Sequence, residues 1–200
     1  MTAILFSFKF LEVFDIMDKN KQWEIKNREE EYKNRIFSIF RLDTFLPSKK
    51  LDSFFYSIHL KNWVNIFAVT ENNEIILVKQ HRLGKNVVTL EVPAGSIDNG
   101  EDPLNAAIRE LREETGYTTN NIKLIKQIQV NPAIQDNICY FFIALDCKKT
   151  TNTDFDETEE IEVILKTKEE AFSSIALESN LIDNSLALMS VMLGKIYLEN

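Results

Sequence analysis

Leu90 to Tyr117, LEVPAGSIDNGEDPLNAAIRELREETGY, is the stretch whose reading decides the fold. Asp102-Pro103 opens a helix, because an Asp N-cap accepts from orphan backbone N–H groups and Pro is tolerated at the first helical position, where no donor is needed. Gly116 is the matching stop, since helices commonly end on a left-handed residue that glycine adopts without strain. Between them Leu104, Ala107, Ile108 and Leu111 recur at helical spacing and predict one buried stripe. With a turn of ~100° per residue, Glu110, Glu113 and Glu114 fall within an arc of roughly 100° beside that stripe. Like charges at these spacings repel, so a cation is expected among them. A hard divalent ion suits the set, because Mg²⁺ takes oxygen ligands, keeps several waters and is completed by substrate phosphates. The glycines of the preceding loop, Gly95 to Gly100, let backbone approach such a site closely.

Gly95, five residues, Glu101, seven residues and then Arg109-Glu110-Leu111-Arg112-Glu113-Glu114-Thr115-Gly116-Tyr117 resembles the Nudix box, with every signature position filled. The plainer reading, a solvated acidic face after an ordinary loop, leaves the clustering of carboxylates without a cause. Upstream, two hairpins, then Gln80-x-Arg82, then Glu91-x-Pro93-Ala94-Gly95 are similar to the ADP-ribose pyrophosphatase branch of that superfamily. This widens the resemblance to residues 35–195. His81 departs from the branch, where an aromatic such as Tyr is usual between the Gln and the Arg. Pro132, sixteen positions past Gly116, matches a proline typical of the branch.

The resemblance implies an α/β (α+β) fold, the Nudix α/β/α sandwich with a mixed β-sheet, preceded by an N-terminal β-hairpin region. It implies metal-dependent hydrolysis of the diphosphate bond of ADP-ribose to AMP and ribose 5-phosphate, or of a related nucleoside diphosphate sugar. GDP-mannose, dinucleoside polyphosphates and a non-catalytic ADP-ribose-sensing module are the alternatives. Glu110 and Glu114, one turn apart, are the expected ligands for Mg²⁺, with Mn²⁺ as the other candidate ion, and Glu113 assists catalysis. By resemblance the backbone carbonyl of Ala94 joins them, Glu157 is the catalytic base and Glu159 makes a further metal contact. Arg82, Glu91 and Pro132 are the substrate-binding candidates, since a guanidinium forks onto phosphate and a carboxylate accepts from ribose or base. Arg109 reads as an orienting partner for loop carboxylates such as Glu101.

Composition narrows the function classes. A chain of 200 residues suits one sizeable domain with an N-terminal extension. Residues 1–16 read as that extension, disordered or upstream of a true start at Met17. Residues 17–60 read as a strand and hairpin region suited to dimerisation, and 61–200 as the hydrolase domain. A net charge of −8 and a pI near 4.9 argue against nucleic acid, and an anionic substrate then needs a bridging metal. No segment reads as transmembrane. The two cysteines, Cys139 and Cys147, lack zinc-type neighbours, and reduced thiols point to the cytoplasm. Relatives of the branch are homodimers, and a homodimer is expected here.

Along the chain, IFSIFRL, a turn at Pro47-Ser48-Lys49-Lys50, and a second run predict a hairpin. In that run Phe54, Tyr56, Ile58 and Leu60 alternate with Ser53, Phe55, Ser57 and His59, the period of a half-buried strand. Trp63 to Val69 and Glu74 to Gln80 predict a second hairpin. Ile122 to Val130 reads as a strand and Ile138 to Leu145 as a buried central one. Lys148 to Glu160 reads as a polar loop. Lys168 to Glu178 and Asp183 to Leu198 read as helices, the second with Leu186, Leu188, Met189, Met192 and Leu193 as its core side.

Overall fold

A computed structural model describes residues 17–155, 158, 160–176, 179 and 181–200. The reading of residues 1–16 as an extension lies outside these residues. Strands β1 (Glu24–Lys33), β2 (Phe37–Leu46) and β3 (Leu51–Leu60) are followed by β4 (Trp63–Thr70), β5 (Ile75–Arg82), β6 (Val87–Glu91) and β7 (Ala94–Ser96). Helix α1 (Pro103–Thr115) then leads to β8 (Tyr117–Thr118), β9 (Asn121–Gln129), β10 (Ile138–Lys149) and β11 (Ile161–Lys166). Helices α2 (Lys168–Ser173) and α3 (Ser185–Glu199) end the chain.

Among the described residues the strands form two sheets. β1, β2 and β3 make an antiparallel meander, and the other eight make a mixed sheet with the path β11-β5-β4-β10-β8, to which β6, β7 and β9 pair from β5, β4 and β10. β4 and β10 run parallel, from Cys139 opposite Trp63 to Ala144 opposite Ala68, while the remaining pairs of this sheet are antiparallel. Strands at the parallel centre are covered on both faces, which explains why β4 and the first half of β10 read as nearly unbroken apolar runs. Alternate residues split between two cores. Val64, Ile66, Ala68, Phe142 and Ala144 pack with Ala106, Ala107 and Leu111 of α1. Phe67, Val69, Ile143 and Leu77 pack with Ala171 of α2 and Ala187 and Val191 of α3. Helices therefore cover both faces of one sheet.

Helix α1 starts and stops as its caps dictate. Asp102 Oδ1 accepts from Leu104 N at 2.9 Å, and Gly116 adopts φ 75°. A side chain at Gly116 would also collide with Thr151 O. The helix end is tied to the next loop, because Thr150 N and Thr151 N donate to Gly116 O and Asp154 N donates to Glu113 O at 2.9 Å.

Five expectations need correction. The buried stripe of α1 is Ala106, Ala107, Leu111 and Glu114, whereas Leu104 and Ile108 are more than a third exposed. The helix is rotated so that the small alanines meet the sheet, which brings the acidic flank inward. β3 is not half-buried: Phe54, Phe55 and Tyr56 are all exposed, because no layer among the described residues covers them. On α3 the core side is Ala187, Ser190, Val191 and Gly194, and Met189 and Met192 face outward. Close approach selects that small-residue face, since a side chain at Gly194 would overlap the Phe67 ring. Helix α2 ends at Ser173 instead of Glu178, and β10 continues to Lys149, where it pairs with β8, so the polar loop begins at Thr150.

Candidate active site

The site is built on the β7–α1 unit. β7 pairs with β4 through Ser96 opposite Trp63 and Ala94 opposite Asn65, which lays the Ala94-Gly95 backbone across the sheet beside the acidic flank of α1. Glu114 is 4% exposed, and its Oε2 accepts from Ala94 N at 2.9 Å. The Glu110 carboxylate occupies the space that a side chain at residue 95 would fill. Gly95 is thus required by a close approach, and both glutamates converge on the same two residues of backbone.

Arg109 threads this group. Its Nε and Nη2 donate to the two oxygens of Glu101 at 2.9 Å each, Nη1 donates to Glu110 at 2.8 Å and to Glu113 at 3.2 Å, and Nη2 also donates to Ser96 O at 3.1 Å. The Arg109 hydrogen bonds hold the Glu101 carboxyl down to about 2 against the opposing effect of burial. Hydrogen bonding to Glu101 likewise pushes the Arg109 guanidinium above its ordinary value. A cavity of about 400 Å³ opens here, lined by Glu110, Glu113, Glu114, Asp154, Lys61 and Arg109 among others. Lys61 pairs with Asp98 at 2.8 Å.

A second cavity of about 410 Å³ adjoins it, since Gly95, Ser96 and Glu114 line both. Here Arg82 donates Nε and Nη2 to the two oxygens of Glu91 at 2.8 Å each, and Thr89 Oγ1 donates to Glu91 at 2.5 Å. The Glu91 side chain is 4% exposed. Burial works to raise its carboxyl, yet the hydrogen bonds from Arg82 and Thr89, the Arg82 charge and the nearby Asn184 side chain leave it below the usual range. Trp63, Asn65, Gln80 and Asn184 complete the walls.

Of the residues expected from sequence, Ala94, Glu110, Glu113, Glu114, Arg82 and Glu91 are brought to these two adjoining cavities. Pro132 lies in an exposed turn after β9, outside the lining of either. Glu157 and Glu159 lie outside the described residues. Sequence reasoning missed Lys61, Asp154 and Asn184. Asn184 carried a signal, a capping residue before an apolar run, but nothing in a one-dimensional pattern places it in one chamber with Glu91. His81, in place of the usual aromatic, is bonded to Asn86 Oδ1 at 3.1 Å.

An oxygen-only donor set held against a glycine fits a hard divalent cation. Among the described residues no three His, Cys, Asp or Glu side chains already form a cage for one. Arg109 draws Glu110 and Glu113 to itself, and Glu114 is turned to Ala94 N.

The NUDIX domain model matches residues 60–180 of the chain. The chain belongs to the Nudix family. It is a Nudix hydrolase on the ADP-ribose pyrophosphatase-like branch. It is 32% identical to an ADP-ribose pyrophosphatase of Bacillus subtilis (strain 168) over 149 residues, covering 74% of this chain and 80% of the relative. It is 34% identical over 113 residues to a methanol dehydrogenase activator of Bacillus methanolicus, covering 56% of this chain and 61% of that one. A crystal structure of an ADP compounds hydrolase superposes with a TM-score of 0.77 at 21% identity, over 89% of this chain and 95% of that chain, and shares the Nudix α/β/α fold. Among the described residues no helix is long and apolar enough to cross a membrane.

Proposed function

We propose that this Nudix hydrolase cleaves the diphosphate bond of ADP-ribose, giving AMP and ribose 5-phosphate, with Mg²⁺ as the working ion. The observation that carries the reading is the junction of the two cavities at Gly95, Ser96 and Glu114, which sets a carboxylate cluster beside an arginine-lined chamber. A chamber of about 410 Å³ is of the size that takes a small ligand, and the Arg82 guanidinium at its wall suits an anionic phosphate. Glu110 and Glu114, with the Ala94 carbonyl, would hold the cation. When bound it supplies neutralisation of the phosphate oxygens and lowers the pKa of water. A water attacks one phosphorus, the bond to the bridging oxygen breaks and the displaced phosphate leaves as a monoester, while a carboxylate takes the proton. We assign that carboxylate to Glu157, with Glu113 assisting and Glu159 as a further metal contact, on the resemblance alone. Support for a role of this loop comes from Asp154, which lines the carboxylate cavity and whose N–H is bonded to Glu113 O. Pro132 stays a substrate-binding candidate on the resemblance alone.

Three further assignments complete the proposal. Residues 17–60 form a dimerisation region ahead of a hydrolase domain at 61–200, supported by the exposed aromatics of β3 and by Trp23, which a second copy would cover. The ion can be replaced by Mn²⁺, because the donors are oxygens. The protein works in the cytoplasm, in keeping with two buried free thiols, Cys139 and Cys147, each pushed up to about 12 by burial.

A panel of ADP-ribose, GDP-mannose and a dinucleoside polyphosphate, assayed with the purified protein and Mg²⁺, tests the reading. AMP release from ADP-ribose at a kcat/KM at least ~10-fold above the others is expected, a factor one or two specific contacts can supply. Preference for another member reassigns the substrate, and tight binding of ADP-ribose without turnover makes the protein a sensing module.

A further inference from the structure

We propose that Asn184 is a positioning residue for the substrate-holding arginine: from the N-cap of α3 it presents its side-chain amide to Glu91, and Glu91 holds the fork of Arg82 in place. The proposal rests on the reading of Arg82 as the group that holds the substrate diphosphate.

Asn184 Oδ1 accepts from Leu186 N at 3.0 Å and from Ala187 N at 3.2 Å. Only the oxygen of the amide can accept from backbone N–H groups, so the cap fixes which way the side chain is turned and leaves its NH₂ on the other side. Asn184 and Leu186 of α3 line the 410 Å³ chamber together with Arg82 and Glu91. A buried carboxylate such as Glu91 is stable only if its lone pairs are met by donors. Three of those donors come from Arg82 and Thr89. The Asn184 side chain also helps to keep the Glu91 carboxyl charged. Helix α3 otherwise reaches the site through no charged residue, so Asn184 is the element by which the helix packed under the sheet sets the aim of a guanidinium at its edge.

Capping alone does not require asparagine. Ser and Asp cap a helix as well, yet neither extends an NH₂ toward Glu91, and Asp would set a second negative charge beside it. This separates the structural role from the positioning one. Steady-state hydrolysis of ADP-ribose and thermal melting are measured for wild type, Asn184→Ser, Asn184→Asp, Arg82→Lys and the double variant Asn184→Ser/Arg82→Lys. Loss of one hydrogen bond to a charged group predicts a KM raised about fivefold in Asn184→Ser and about tenfold or more in Asn184→Asp, with kcat within about twofold of wild type. Melting temperatures stay within a few degrees because the cap is kept. In the Arg82→Lys background, where the fork is gone, Asn184→Ser adds less than about twofold, as expected for residues acting in series. An unchanged KM in Asn184→Ser, or the same factor in both backgrounds, overturns the proposal, and Asn184→Ser alone decides if the Asp variant does not fold. A wild-type protein inert toward ADP-ribose would instead overturn the proposed substrate, and the variants are then read on the diphosphate that the panel selects.

Discussion

On either side of Gly95 an arginine is threaded among carboxylates, and the two arrangements differ in ratio. Arg109 meets three glutamates, Glu101, Glu110 and Glu113, in a cavity whose described lining holds five carboxylates against two cationic side chains. Among the described residues Arg82 is forked by Glu91, in a chamber whose other described carboxylate is the shared Glu114. An over-matched arginine leaves a strongly negative concavity that attracts cations, whereas the fork on Glu91 neutralises that carboxylate and keeps a guanidinium at the chamber wall. Placed side by side, the two suit the opposite ends of one problem, an anionic diphosphate brought to an acidic protein. A catalytic cation would be drawn to the first and the substrate to the second.

The comparison breaks hardest at Glu114, which both cavities share. Glu114→Gln keeps the side-chain volume but removes charge from the donor set, and kcat for ADP-ribose is expected to fall by about 10²–10³-fold in initial-rate assays at saturating Mg²⁺. Next comes Gly95→Ala. The added methyl meets the mobile end of Glu110 and not backbone, so Glu110 is displaced while the fold survives. Activity is expected to drop by about 10²-fold with a nearly unchanged melting temperature. Arg82→Lys keeps the charge but loses the fork, and a KM raised about tenfold with a smaller change in kcat is expected, provided this side handles substrate and not metal. The smallest effect is on stability. Glu101 is held down to about 2 in the folded protein against an ordinary 4.5, so its contribution is present above about pH 4.5 and is lost as pH falls toward 2. Glu101→Gln should therefore melt a few degrees below wild type at pH 7, with the gap closing in melts taken between pH 4.5 and pH 2.

Local signals carried much of this into the sequence. Asp102, Pro103 and Gly116 delimit α1 because capping is chemistry of single residues, and the runs at β4, β5 and β10 follow from burial at the centre of a sheet. The failures share a cause. β1, EIKNREEEYK, is exposed throughout and has no apolar period, so its strand state comes from pairing with β2. Met189 and Met192 read as core because apolar residues surround the whole of α3, and only the nearness of Phe67 selects Gly194 and its neighbours as the buried face. The acidic triplet of α1 was legible from its spacing. Arg109 meets Glu110 and Glu113 within one helix, but the bond of Ala94 N to Glu114 and the sharing of one chamber by Asn184 and Glu91 depend on contacts between separate elements.

AMP release from ADP-ribose, followed as Mg²⁺ is titrated into metal-stripped wild-type protein, tests the central claim most directly. The account predicts no turnover above background in chelator and a saturable rise as Mg²⁺ is added. Hydrolysis that runs at full rate in chelator would contradict it.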